Sequence, residues 1–420
     1  MTIQDVNIIR ELAARLREIS QEPQYEVKRR RWMLHDALAG DKQPLLWICP
    51  DEDANGGWAE LVPLNSLRTE DPDLHPLEWQ LRRLIYHHDH FDDDFVIEPL
   101  VRFEMPGEYT GYTFADSTQR TAWGIPIQGQ GVSKHSYHLQ NYLDDEENVE
   151  KLLAHEVDFL PDEARIQTLR TKYEEAVDGQ IRVDFVLPYV VLVQSLLIEL
   201  VHLRGLEELM YDLYESPEWL LRIMDHMSDS KTRLLDRLER ENRLFDNRTN
   251  IYTGSGGLGY LPDPPQDPGH IRLSDMWGFA DAQEFTSVSP KMFEEFALPY
   301  QAQGLKKFGM ACYGCCEPLD QKYDMIFKHL PNIRRLSVSP WANIDLAAEQ
   351  IQDRAIYSWK PSPSLVTMTF DEDTLRGQLR HLRQATGGKC FTEVILKDIR
   401  TCGAPGSLER YAKLFREEMG

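Results

Sequence analysis

Cys315-Cys316-Glu317 and Cys402 are the residues best suited to metal or thiol chemistry. Zinc accepts thiolates and carboxylates in tetrahedral geometry and can leave one position open. One expectation is therefore a site held by Cys315, Cys402 and Glu317, with Cys316 as substitute. The other is that the cysteines are unliganded and pack as small hydrophobes. His87, His88 and His90 form a second cluster, but they adjoin the run Asp92–Asp94, so ordinary local pairing is the expectation for them. Asp275 follows the apolar run Ile271–Leu273 and is a candidate for contacting substrate or holding a ligand side chain. Glu98, Trp359, Lys360, Lys397 and Asp398 likewise end apolar runs, and Trp277 and Trp359 are candidates for an aromatic wall. Gly254–Gly259 is glycine-rich, yet it lacks the strand–loop–helix setting of a phosphate loop.

Residues so far apart meet only if a regular scaffold gathers them. Val6, Ile9, Leu12 and Leu16 recur at helical spacing, and a second helix is predicted over about 25–39. Pro44–Ile48 reads as a buried strand. Residues 50–180 are mixed, with a helix near Leu77–His88, a short strand at Phe95–Glu98 and hairpin-like alternation over Phe114–Gln128. After residue 180 strands and helices alternate. Strand candidates lie near residues 46, 97, 186, 273, 311, 336, 357 and 395. Eight strands alternating with helices predict an α/β fold, a closed (β/α)8 TIM barrel with an N-terminal helical extension (1–40), a cap-like part (50–180) and a barrel core (181–420). An open doubly wound sheet is the architectural alternative. In a barrel the carboxyl ends of the strands form one mouth, where active sites are built.

Composition narrows the classes further. The 420 residues include 69 Asp plus Glu against 46 Lys plus Arg, a formal net charge of −23. That opposes binding to nucleic acid or to an anionic membrane. The short acidic runs Asp92–Asp94 and Asp144–Glu147 read as solvated surface. Six cysteines in this length do not make a disulfide scaffold. Met1–Glu18 lacks the apolar stretch of a signal peptide, and Phe185–Leu200 is too broken by Pro188, Gln194 and Glu199 to span a bilayer. The expectation is a cytoplasmic protein.

The stretch Ser274-Asp275-Met276-Trp277-Gly278 through Ser289–Phe296 and Pro299-Tyr300 resembles the uroporphyrinogen decarboxylase superfamily. So do Tyr313–Pro318, Val338-Ser339-Pro340 and Leu396-Lys397-Asp398. Within it, the chain is most similar to the cobalamin-related methyltransferases, including components of anaerobic O-demethylase systems. The resemblance covers about residues 180–420 and thins before that.

The resemblance implies a (β/α)8 barrel, possible homodimerisation, and methyl transfer from a small methylated metabolite, such as a methoxylated aromatic, to a corrinoid protein. It also implies zinc held by a His-x-Cys motif plus a later cysteine. Here Tyr313 stands where that histidine would be, Cys315 is the first cysteine and Cys402 the later one. Tyr313 or Glu317 would then serve as acid and Asp275 would orient substrate, with Glu98, Trp277, Trp359 and Lys360 contacting it. The alternatives are a uroporphyrinogen decarboxylase-like lyase and a non-catalytic ligand-binding barrel. Against the lyase, Cys49-Pro50-Asp51-Glu52-Asp53 is an acidic loop that would repel a polyanionic porphyrinogen.

Overall fold

In the computed structural model, which describes residues 1–52, 56–113, 118–128 and 140–420, eight parallel strands are arranged as in a barrel that has not closed. They are β1 (Leu45–Pro50), β2 (Leu100–Glu104), β3 (Arg182–Val186), β4 (Trp277–Ala280), β5 (Met310–Tyr313), β6 (Ile333–Val338), β7 (Ile356–Trp359) and β8 (Phe391–Ile399). Six of them form one curled sheet in the order β1-β8-β7-β6-β5-β4, and β2 and β3 form a separate parallel pair. The closed barrel expected from the strand count is therefore corrected to an open six-stranded sheet flanked by helices.

The two sheet edges explain why closure fails. An edge strand needs partners for its backbone groups. At β1, the side chains of Asp94 and Asp93 accept the Leu46 and Ile48 N–H groups, each at 2.8 Å. At β4, the Asn247 amide accepts from Trp277 N–H and donates to Trp277 O, both at 2.9 Å. The Gln194 N–H also donates to Phe279 O at 2.8 Å. Side chains and loops thus occupy the places that β2 and β3 would fill. Asp93 and Asp94 are buried, so reading Asp92–Asp94 as solvated surface holds only for Asp92.

Two strands are displaced from their expected positions. Phe95–Glu98 is not a strand, and β2 begins after Pro99. Leu273–Asp275 is a short 3-10 turn, and β4 begins two residues later. The hairpin expected within 114–128 is present as Thr121–Ala122 against Ile125–Pro126, while residues 114–117 lie outside the described residues. Among the described residues no helix is long and apolar enough to cross a membrane.

The N-terminal segment is tied to the sheet. Helix α1 (Ile3–Ser20) begins with a Thr2–Asp5 capping box and buries Ile9, Ala13, Leu16 and Ile19. It packs on α3 (His75–His90) and α4 (Glu163–Val177). Helix α2 (Pro23–Asp36) ends with His35 and Asp36 buried against the sheet interior.

There, the fully buried Arg335 of β6 pairs with Asp36 at 2.8 Å and with Glu393 of β8 at 2.9 Å. Its guanidinium also donates to Thr253 Oγ1 and Leu258 O and lies 4.6 Å over the Trp277 ring. The glycine-rich loop fills this concavity. Gly257 has φ +91°, and a Cβ there would lie 2.6 Å from the Arg335 Cζ. Glycine is needed at that point for close approach, not for phosphate binding.

Arg335→Met would leave Glu393 buried without its cation. Urea titration is expected to show a loss of about 3–5 kcal/mol, part of which Arg335→Met/Glu393→Gln should restore.

Candidate active site

The carboxyl end of β5 turns sharply at Gly314, whose φ is +88°. The turn carries Cys315 and Cys316 off the strand, so their side chains no longer alternate. Their sulfurs lie 3.6 Å apart, with Cys315 half-buried and Cys316 exposed. Lys397, late in β8, places its ammonium 3.5 Å from the Cys315 sulfur and 3.1 Å from Asp398. The bond from Cys315 lowers the Cys316 thiol below its ordinary value. The same contact, together with burial, raises Cys315. Cys316 is thus the thiolate-forming member of the pair.

Beside the thiols, Glu317 clamps two strand ends. Its oxygens accept the Ala282 N–H at 3.0 Å and the Cys315 N–H at 2.9 Å. Asp281 lies directly after β4, where its Oδ2 accepts from the Gln283 amide at 2.8 Å. Gln301 donates to Asp281 O at 2.6 Å and accepts the Tyr313 hydroxyl at 2.5 Å. Glu284 completes a group of three carboxyls, and its buried Oε2 has no hydrogen-bond partner among the described residues.

Burial and the Asp281 charge push Glu284 and Glu317 up to about 8. Three carboxylates cannot all ionise in so dry a place. The two N–H groups on Glu317 favour its carboxylate, so the unpartnered Glu284 oxygen is the better seat for the retained proton. Lys360, after β7, is also buried; it donates to Ser358 O and Oγ, and burial lowers it to about 8.

Several expected site residues lie elsewhere. Parallel strands place their carboxyl ends at the mouth, but Asp275 and Glu98 precede β4 and β2 and so sit at the opposite ends. Asp275 accepts the Arg272 N–H at 3.1 Å, and Glu98 accepts the Tyr260 hydroxyl at 2.8 Å. Trp277 starts its strand beneath Arg335, Trp359 is core, and the fully buried Tyr313 hydroxyl is committed to Gln301. Reading the apolar run before β4 as the strand put Asp275 at the mouth. The run that does form the strand, Trp277–Ala280, ends one residue before Asp281, which sequence reasoning missed together with Glu284.

The residues present do not fit zinc. Cys402 is exposed in the loop after β8, and both Glu317 oxygens face backbone N–H groups. Among the described residues no three His, Cys, Asp or Glu side chains converge as metal ligands. His87 pairs with Asp93, His88 with Tyr25 and His90 with Glu409.

A cavity of about 500 Å³ opens at the seam between β1, the β2–β3 pair and β4, and Lys397 and Asp398 form part of its wall. Lys397 therefore links it to the thiols. No protein-family model and no curated protein matches this sequence. A solved methyltransferase from Methanosarcina mazei is similar at 12% identity, over 93% of this chain and 97% of that chain, with a TM-score of 0.46. The likeness is distant, and no inference about chemistry rests on it.

Two outcomes follow from this geometry. Iodoacetamide should label Cys316 before Cys315 and leave the buried Cys312 and Cys390 unmodified in folded protein, as read by peptide mass mapping. Glu284, raised from 4.5 to about 8, stabilises the fold fully below its unfolded pKa. That contribution is lost as pH rises through the folded value. The stability of wild type relative to Glu284→Gln should therefore fall between about pH 5 and about pH 9, by at most about 5 kcal/mol, in urea titrations across that range.

Proposed function

We propose that this chain is a transferase that moves a methyl group from a small methylated donor to a corrinoid carried by a separate protein. The sequence resemblance supplies the reaction class. What supports the reading in the structure is the buried cluster of Asp281, Glu284 and Glu317 at the carboxyl ends of the strands, where burial and the Asp281 charge raise Glu284 and Glu317 to about 8 and Glu317 accepts the Cys315 N–H.

A methyl ether or methylamine is a poor methyl donor because its leaving atom takes the bonding electron pair as methyl departs. A proton supplied to that atom neutralises it, and general acids of this kind contribute typically about 10²–10⁴-fold. Glu284 gives its proton to the leaving oxygen or nitrogen and becomes a carboxylate. Lys397, 3.5 Å from the Cys315 sulfur, adds a positive charge at the same strand ends, which favours negative charge building on a leaving oxygen. A reduced corrinoid, when bound, supplies the nucleophile that takes the methyl group. No step is routed through zinc.

Anaerobic incubation of the full chain with a reduced corrinoid protein and a panel of methylated compounds should produce methylated-corrinoid absorbance with one donor class. Glu284→Gln is expected to lower kcat by about 10²-fold with little change in KM. Demethylation without corrinoid dependence, or full activity in Glu284→Gln, would contradict the proposal.

A further inference from the structure

The function proposed above leaves the Cys315–Cys316 thiols without a task. Neighbouring residues of a regular strand point to opposite faces. Here the turn at Gly314 carries the pair into a bend beyond β5, and the two sulfurs come within 3.6 Å of each other. Neither cysteine belongs to a strand, so drawing the sulfurs together breaks no ladder hydrogen bond. The bend is anchored by Cys315, whose N–H donates to Glu317 at 2.9 Å and whose carbonyl accepts the Ser337 hydroxyl at 2.7 Å.

The two thiols are not equivalent. Cys316 is exposed and Cys315 is half-buried. The bond from Cys315, helped by the Lys397 charge, lowers the Cys316 thiol, although burial, Asp398 and Glu317 oppose the shift. The Lys397 ammonium lies 3.5 Å from the Cys315 sulfur, where it favours the charge that Cys315 acquires on losing its proton. An accessible thiolate with a second thiol in contact is the arrangement of an attacking and a resolving cysteine.

We infer that Cys315 and Cys316 form a reversible oxidation site that closes to a vicinal disulfide by exchange with a small external disulfide. The Cys316 thiolate attacks one sulfur of that molecule. The external S–S bond breaks, a mixed disulfide forms on Cys316 and one thiolate leaves. The Cys315 sulfur then gives up its proton, attacks the Cys316 sulfur and displaces the second thiolate. The two released thiolates take up the protons of the pair. Two protein thiols are thereby oxidised by two electrons, and one external disulfide is reduced to two thiols. The Cα atoms of neighbouring residues are about 3.8 Å apart, closer than the roughly 4.4–6.8 Å of most disulfides. The closed bond is therefore strained and opens again with excess thiol. None of this depends on methyl transfer.

The test treats reduced, full-length protein with 4,4′-dithiodipyridine, an uncharged disulfide that the net charge of −23 does not repel. The remaining thiols are then blocked and the tryptic peptides weighed. In wild type, the peptide Phe308–Lys322 should carry an internal disulfide and no pyridyl group, and excess dithiothreitol should reverse the change. Cys315→Ser should stop at a pyridyl adduct on Cys316. Cys316→Ser should react at Cys315 at least about tenfold more slowly than wild type reacts at Cys316, and should not close. Cys312→Ala and Cys402→Ser should both still close, which leaves the adjacent pair as the thiols responsible. If circular dichroism shows that a serine variant has not folded, the wild type and these last two variants decide the matter. Stable pyridyl adducts on the wild-type pair, no reaction at the pair, closure in either serine variant, or loss of closure in folded Cys312→Ala or Cys402→Ser would overturn the inference.

Discussion

The Arg335 guanidinium sits where charge can be kept only if it is matched. Burial alone would raise Glu393, yet Arg335, helped by His35, holds it down at about 2. Asp36, also beside Arg335, is instead raised by burial, and its second oxygen has no partner. Burial lowers His35. The Arg335 charge is therefore matched chiefly by Glu393, with Asp36 at 2.8 Å as its second partner. Breaking such a pair strands a buried charge, which is far more costly than never burying the pair. This match joins α2, β6 and β8 and pins the glycine-rich loop over them.

The same loop governs the site. It fills the concave face of the sheet around Arg335, and a cavity of about 500 Å³ lies at the seam beside β1. The open edges are sealed by Asp93, Asp94 and Asn247, so β2 and β3 stand apart and the seam cavity has room between them. The acid cluster lies on the firm part of the scaffold, with Glu317 bridging the ends of β4 and β5. Access is provided by the looser part, and the chemistry by the rigid part.

Much of the scaffold was legible. Apolar runs alternating with helical patterns marked eight parallel strands, six near their true positions, and placed Cys315–Glu317 after β5. Failure to close was not legible, because periodicity reports which residues are buried and not which partner satisfies an edge N–H. Asp93 looked like one of three surface acids, whereas its carboxyl does the work of a neighbouring strand. Asp275 and Asp281 flank one short strand, and a slip of a few residues exchanges the floor of the fold for its mouth. Arg335 gave no sign of its role, since what matters is the pairing around the side chain and not its spacing.

The proposed acid chemistry depends on a carboxyl at the strand ends that keeps its proton at neutral pH. Infrared difference spectroscopy between wild type and Glu284→Gln in buffered D₂O at about pH 7 reads that proton directly, because a neutral carboxyl has a carbonyl stretch separate from that of a carboxylate. A protonated-carboxyl band is expected in wild type, absent from the variant and lost as pH rises above about 8. A difference spectrum showing only loss of a carboxylate at neutral pH would contradict it.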